Sequence, residues 1–146
     1  MDATEPAAPA LPWEGYFHRD AVLFVIDGGM HMHAEGEHET AFIMALRAAL
    51  RFMHIKLVSS PKDYVGIMLW NTDASRMITP SKNPFYPHTI EYARLKQVDV
   101  PTTFELQQLL TAIQADPPAA RTRFPPASST MNVDHVLANA LHVITA

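Results

Sequence analysis

The 146-residue sequence has no cysteine and only five glycines. The first absence excludes disulfide frameworks, thiolate metal sites and cysteine nucleophiles together, and it favours an intracellular protein. The second leaves little material for loops that wrap phosphates. Neither G-x-x-x-x-G-K-[ST] nor G-x-G-x-x-G occurs, and no serine sits in a nucleophile elbow. Positive charge is also scarce: 11 Lys and Arg stand against 15 Asp and Glu, for a net charge of -4. A domain that grips phosphate backbones by charge alone carries clustered cations instead. No stretch approaches the roughly 20 apolar residues of a membrane helix. The acidic, Ala- and Pro-rich start, Met1 to Gly15, lacks the basic and apolar regions of a secretory leader. Residues 1–18 read as a flexible arm whose end is docked by Trp13, Tyr16 and Phe17.

What remains is ordinary globular text, 48% hydrophobic and 18% charged, long enough for one domain with a genuine core. Ala21 to Ile26 is an unbroken apolar run ending at Asp27-Gly28-Gly29, the pattern of a strand buried on both faces. A loop rich in His and Glu follows, from Met30 to Glu39. The spacing of Phe42, Leu46, Leu50, Met53 and Leu57 predicts a helix from Thr40 to Lys56, with Arg47, Arg51 and His54 off its apolar face. Tyr64 to Trp70 reads as a second buried strand, with Gly66 allowing close backbone approach. Pro80, Pro84 and Pro87 exclude a helix from the next stretch. Thr89 to Leu95, more polar, reads as a third strand nearer an edge.

Thr102-Thr103-Phe104-Glu105 matches a capping box, opening a helix with Leu106, Leu109, Leu110 and Ile113 on one face and Asp116-Pro117-Pro118 as its stop. Arg121 to Ser129 reads as a connector. From Asn132 a last helix places Val133, Val136, Leu137, Ala140, Leu141 and Ile144 at helical spacing. The fold class expected is three-layer α/β with a mostly parallel, Rossmann-like sheet. The first strand reads as central, yet only two further strands are in the text. The sheet is therefore expected to be incomplete in its carboxyl-terminal half, with residues 19–146 a partial domain.

Asp27 ends the first strand, at the side of an open α/β sheet that faces a ligand crevice. A carboxylate there could hold a metal, but the segment supplies no second oxygen ligand nearby, and the turn-forming reading is favoured. His31, His33 and His38, interleaved with Glu35, Glu37 and Glu39, have zinc-binding chemistry without an evident scaffold, and a solvated loop is favoured. Arg47, Arg51 and Lys56, like Arg121 and Arg123, read as solvated faces rather than a nucleic-acid grip. The methionines read as core or loop filler. No catalytic residue, metal ligand or cofactor is assigned.

Three stretches share one resemblance. Arg19-Asp20 with the strand and Asp27 resembles the opening of the amino-terminal domain of the Ku family. Ser59 to Thr72 (SSPKDYVGIMLWNT) is similar to the second-strand segment of the smaller Ku subunit, especially in fungal versions. Leu106 to Ile113, Asp116-Pro117, Phe124-Pro125-Pro126 and Met131 to Val136 follow in the same order. The likeness covers nearly all of the chain after Arg19, and is weaker over Met77 to Pro87.

The resemblance implies a von Willebrand factor A-like domain from a heterodimeric protein that binds double-strand DNA ends. It implies non-homologous end joining, telomere maintenance, a nuclear location, and the larger Ku subunit and repair factors as partners. The family is catalogued as an ATP-dependent DNA helicase subunit, but no nucleotide-binding motif is present here. Metal-binding A domains carry Asp-x-Ser-x-Ser; this sequence keeps Asp27 and has Gly29 and His31 at the serine positions. Met1 to Ile55 contains no lysine, so the lyase chemistry ascribed to Ku is not carried over. The expectation is a noncatalytic module whose crest (Asp27, Gly28, Gly29, His31) docks proteins, with weak or no DNA binding by this chain alone and no membrane association. The alternatives are a metal-dependent α/β enzyme using Asp27, and an A-like adaptor unrelated to DNA.

Overall fold

A computed structural model describes residues 19–36, 38–73, 88–128 and 132–145. The expected amino-terminal arm, the Pro-rich stretch around Met77 to Pro87, and Ser129 to Met131 lie outside the described residues. Strand β1 (Ala21–Asp27) pairs in parallel with β2 (Tyr64–Trp70), in register from Ala21 opposite Tyr64 to Asp27 opposite Trp70. Helix α1 (Ala41–Ser59) is the crossover that a parallel pair requires. Strand β3 (Thr89–Gln97) returns antiparallel on the other side of β2.

The sheet is thus mixed rather than mostly parallel, in the order β1-β2-β3. The polar alternation of β3 suits an antiparallel edge with one wetter side. Strand β1, read as the central strand of a sheet whose other half is missing, pairs with β2 alone among the described residues, and Val25 at that open edge is 39% exposed. The apolar run is also not buried on both faces as its pattern predicts: of β1 only Ile26 is buried, the rest being half-buried or exposed, because among the described residues its free edge has no strand beside it. Gly66 fulfils its predicted role. A Cβ there would lie 2.9 Å from Leu95 Cα, where β2 and β3 shift register.

Alternation along β2 divides the interior. Val65, Ile67 and Leu69 join Ile26 and the apolar face of α1 in the main core, while Met68 faces the opposite layer. Helix α2 (Val100–Ala115) completes the main core with Leu106, Leu109, Leu110 and Ile113, as its spacing predicts. Its start differs from the predicted capping box. Asp99, not Thr102, is the N-cap, accepting from Thr102 N at 2.7 Å, with Pro101 in the first turn. An aspartate directly before a proline-tolerant first turn outcompetes a threonine three residues later.

A short helix not predicted, α3 (Pro118–Arg123), starts at the Asp116-Pro117-Pro118 stop and runs into the predicted connector; it buries Ala120 and sets Phe124 against Phe42 and Tyr92, each at 5.7 Å between ring centroids. Helix α4 (Val133–Thr145) lies on the other face over Met68, with Leu23 and Trp70 at its margin. Only Val136, Asn139 and Ala140 of α4 are buried; Val133, Leu137, Leu141 and Ile144 are exposed, against the expected packing face. Three layers are present, one of them thin.

Asp63 fastens the opposite end of the strands. Its carboxylate takes the Lys56 ammonium at 2.7 Å and the Asp20 N–H at 3.1 Å, and these hold its pKa below the ordinary value. This explains why the turn before β2 carries an aspartate next to an apolar run.

Candidate functional site

Parallel pairing puts the ends of β1 and β2 side by side, so the residues following them form one crest. Gly28 continues the pairing by donating its N–H to Trp70 O at 2.7 Å. A Cβ at Gly28 would collide with Thr72 Oγ1, so the glycine is required for close approach. Asp27 Oδ1 accepts from Gly29 N at 2.8 Å and from Asn71 Nδ2 at 3.1 Å. Its Oδ2 lies 2.9 Å from His31 Nε2. Asn71 adopts φ 57°, a left-handed conformation that asparagine tolerates better than most residues.

His31 sits in a 3-10 turn, Met30–His33, within the stretch expected to be a loop. The turn sends successive histidines to different surroundings. His31 is exposed beside Asp27, whereas His33 is only 5% exposed and lies 4.6 Å from the Phe42 ring. Burial pushes the His33 pKa below 6.5, opposed by the nearby Gly28 backbone, and the charges of Arg121 and His31 lower it further. Among the described residues neither His33 ring nitrogen has a hydrogen-bond partner, and the same holds for Thr72 Oγ1 beside Gly28. His38 lies out in the solvent. Among the described residues no group of three His, Asp or Glu side chains could hold a metal ion.

The four predicted crest residues therefore come together. Sequence reasoning missed Asn71, Thr72 and the inward turn of His33. The signal for Asn71 was available: it directly follows an apolar strand parallel to the one ending in Asp27. The connector closes the crest from the side, with Asp73 N donating to Pro125 O at 2.7 Å and Ala127 N to Asn71 O at 2.8 Å. Arg47 reaches Glu39 and Lys56 reaches Asp63, so two of the helix cations are already paired.

A parallel β-α-β unit with an antiparallel third strand and helices on both faces defines an α/β domain whose crest is built from backbone turns and one saturated carboxylate. The profile of the family described as Ku70/Ku80 N-terminal alpha/beta domain matches residues 21–146, and the chain belongs to that family. It is 39% identical over 72 residues to a protein of Rhipicephalus appendiculatus named ATP-dependent DNA helicase 2 subunit 1, covering 49% of this chain and 12% of that protein. It is 29% identical over 106 residues to ATP-dependent DNA helicase II subunit 1 of Chaetomium globosum, covering 66% and 17%. The protein of the same name from Cryptococcus neoformans is 26% identical over 149 aligned positions, covering 84% and 20%. The chain thus spans about a fifth or less of the length of these relatives. No described helix is long and apolar enough to cross a membrane.

Proposed function

We propose that the chain is a noncatalytic, von Willebrand factor A-like docking module of a Ku-type protein. That protein binds double-strand DNA ends, acts in non-homologous end joining and telomere maintenance, and works in the nucleus as a heterodimer with the larger Ku subunit. The match over residues 21–146 supports the family context. The state of Asp27 carries the docking reading. Both carboxylate oxygens are engaged, by Gly29, Asn71 and His31, so the group that would anchor a hard cation instead rigidifies the turn. Gly29 and His31 occupy the positions where metal-binding A domains place hydroxyls. A rigid crest of backbone groups with an exposed imidazole suits recognition of a repair-factor protein.

The test is end joining by the full-length protein carrying His31→Ala or Asp27→Ala. Linear-plasmid rejoining is expected to fall while DNA-end binding in a gel shift is retained. Unchanged rejoining, or loss of end binding itself, would overturn the reading. Titration calorimetry of the chain with magnesium, manganese and zinc separates the rival: tight one-to-one binding abolished by Asp27→Ala would make the site a metal centre. The chain alone is expected to bind blunt duplex ends weakly, and a salt-resistant nanomolar gel shift would contradict that.

A further inference from the structure

His33 combines burial with a side chain whose charge changes near neutral pH. It is 5% exposed, its ring centroid lies 4.6 Å from that of Phe42 on α1, and among the described residues neither ring nitrogen has a hydrogen-bond partner. At that exposure the described residues themselves enclose it, so its state does not depend on what covers the outer faces of the helices. A neutral imidazole fills this space but strands two polar atoms. A protonated one would strand a charge, which is far more costly.

The turn that carries His33 is held by little else. Gly29 caps it without a side-chain hydrogen bond, and its backbone bonds run from Met32 N to Gly29 O at 3.0 Å and from Ala34 N to His31 O at 3.4 Å. Met30 and His31 are exposed, and only Met32 joins His33 in packing inward, half-buried against the main core. The charges facing His33 come from three elements. Asp27 at the end of β1 favours its proton, as does the Gly28 backbone; His31 in its own turn and Arg121 of α3 oppose it; α1 presents the uncharged Phe42 ring.

We propose that His33 is a proton-operated latch for the crest: neutral, it holds the Met30–His33 turn against α1, and protonated, it leaves the core for water and carries the turn, with His31, away from Asp27. The step is uptake of one proton from water by a ring nitrogen, and no other reactant is needed. An imidazole neutral inside and charged outside couples the turn to pH by linkage. Burial, the largest influence on His33, sets the direction, so opening is favoured as pH falls. As control of docking, the latch rests on the reading of the crest given above; as a movement it does not.

The experiment records amide exchange of the 146-residue chain by NMR as pH falls from neutrality through 6.5. Protection of the Met32 and Ala34 amides is expected to drop by up to about tenfold per pH unit below 6.5, while that of Ile67 and Leu69 in β2 holds. His33→Phe, which keeps a ring against Phe42 with no proton to gain, is expected to abolish the dependence, and His31→Ala to retain it. Thermal melts check that each variant folds, and His33→Leu replaces His33→Phe if the larger ring does not fit. The latch is overturned by constant protection in the natural chain, by a pH dependence that survives removal of the His33 imidazole, by its loss in His31→Ala, or by an equal loss of protection in β2. Unchanged plasmid rejoining in the crest variants would remove the docking role and leave this movement standing.

Discussion

The two faces of the sheet are built to different depths. On one, α1, α2 and α3 close over β1–β3 in a core that runs from Ile26 through Phe42 and Ile67 to Phe124. On the other, α4 is the one helix among the described residues that rests on Met68, with Val136 and Ala140, leaving Leu137 and Leu141 exposed. Both sides draw on apolar residues of similar type and spacing. What differs is how many elements share them: three helices exclude water from one another, whereas a single helix over a narrow sheet can bury only the residues directly beneath it. Apolar periodicity therefore identified α4 as a helix but overstated its buried face.

Cavity-forming substitutions expose this asymmetry most strongly. Phe42→Ala, which removes a ring touching both His33 and Phe124, is expected to cost about 3–5 kcal/mol in urea unfolding. Met68→Ala, at the most deeply buried apolar residue of the thin face, is expected to cost about 2 kcal/mol, because a sparse layer collapses into the space. Equal losses for the two would break the comparison. Asp99→Ala removes the cap of a helix on the thick side and should cost about 1 kcal/mol. Leu141→Ala, on the outer side of α4, should change stability by about 0.5 kcal/mol or less. A larger loss would mean that the stripe is covered in solution.

The pH response sharpens the same contrast, since the buried His33 packs on the thick core. His33 has a folded pKa below its ordinary value of 6.5. Its neutral form is therefore favoured by folding, so stability is complete above that value and declines as pH falls below it. Melting temperatures between neutral pH and pH 5 should drop for the natural chain, and less for His33→Phe. Asp63, whose pKa is lowered by Lys56, acts only in stronger acid, its contribution being present above the ordinary carboxylate range and lost below it. An equal drop in His33→Phe would assign the pH response to other groups.

Much of the crest was legible before any coordinates. Asp27, Gly28, Gly29 and His31 are adjacent in the chain, and a strand end followed by two glycines already implies a tight turn. Asn71 and Thr72 were not identified: the place of Asn71 after the second apolar strand was a usable signal, but its contact with Asp27 is set by the parallel register of two strands more than 40 positions apart. The capping of α2 shows a subtler miss. Two acceptable caps stood three residues apart, and the proline at position 101 decided between them.

The amino-acid order by itself determined the elements: where apolar runs give strands, where three-and-four spacing gives helices, where prolines and caps end them, and which family they resemble. These are properties of neighbouring residues, fixed by backbone sterics and local periodicity. Only the tertiary structure decided that β1 pairs on one side alone among the described residues, that β3 runs antiparallel, that His33 turns inward, and that Met44 and Ile55 of α1 stay exposed. Each of these depends on water being excluded by residues distant in the chain, and no local pattern records which of them will arrive.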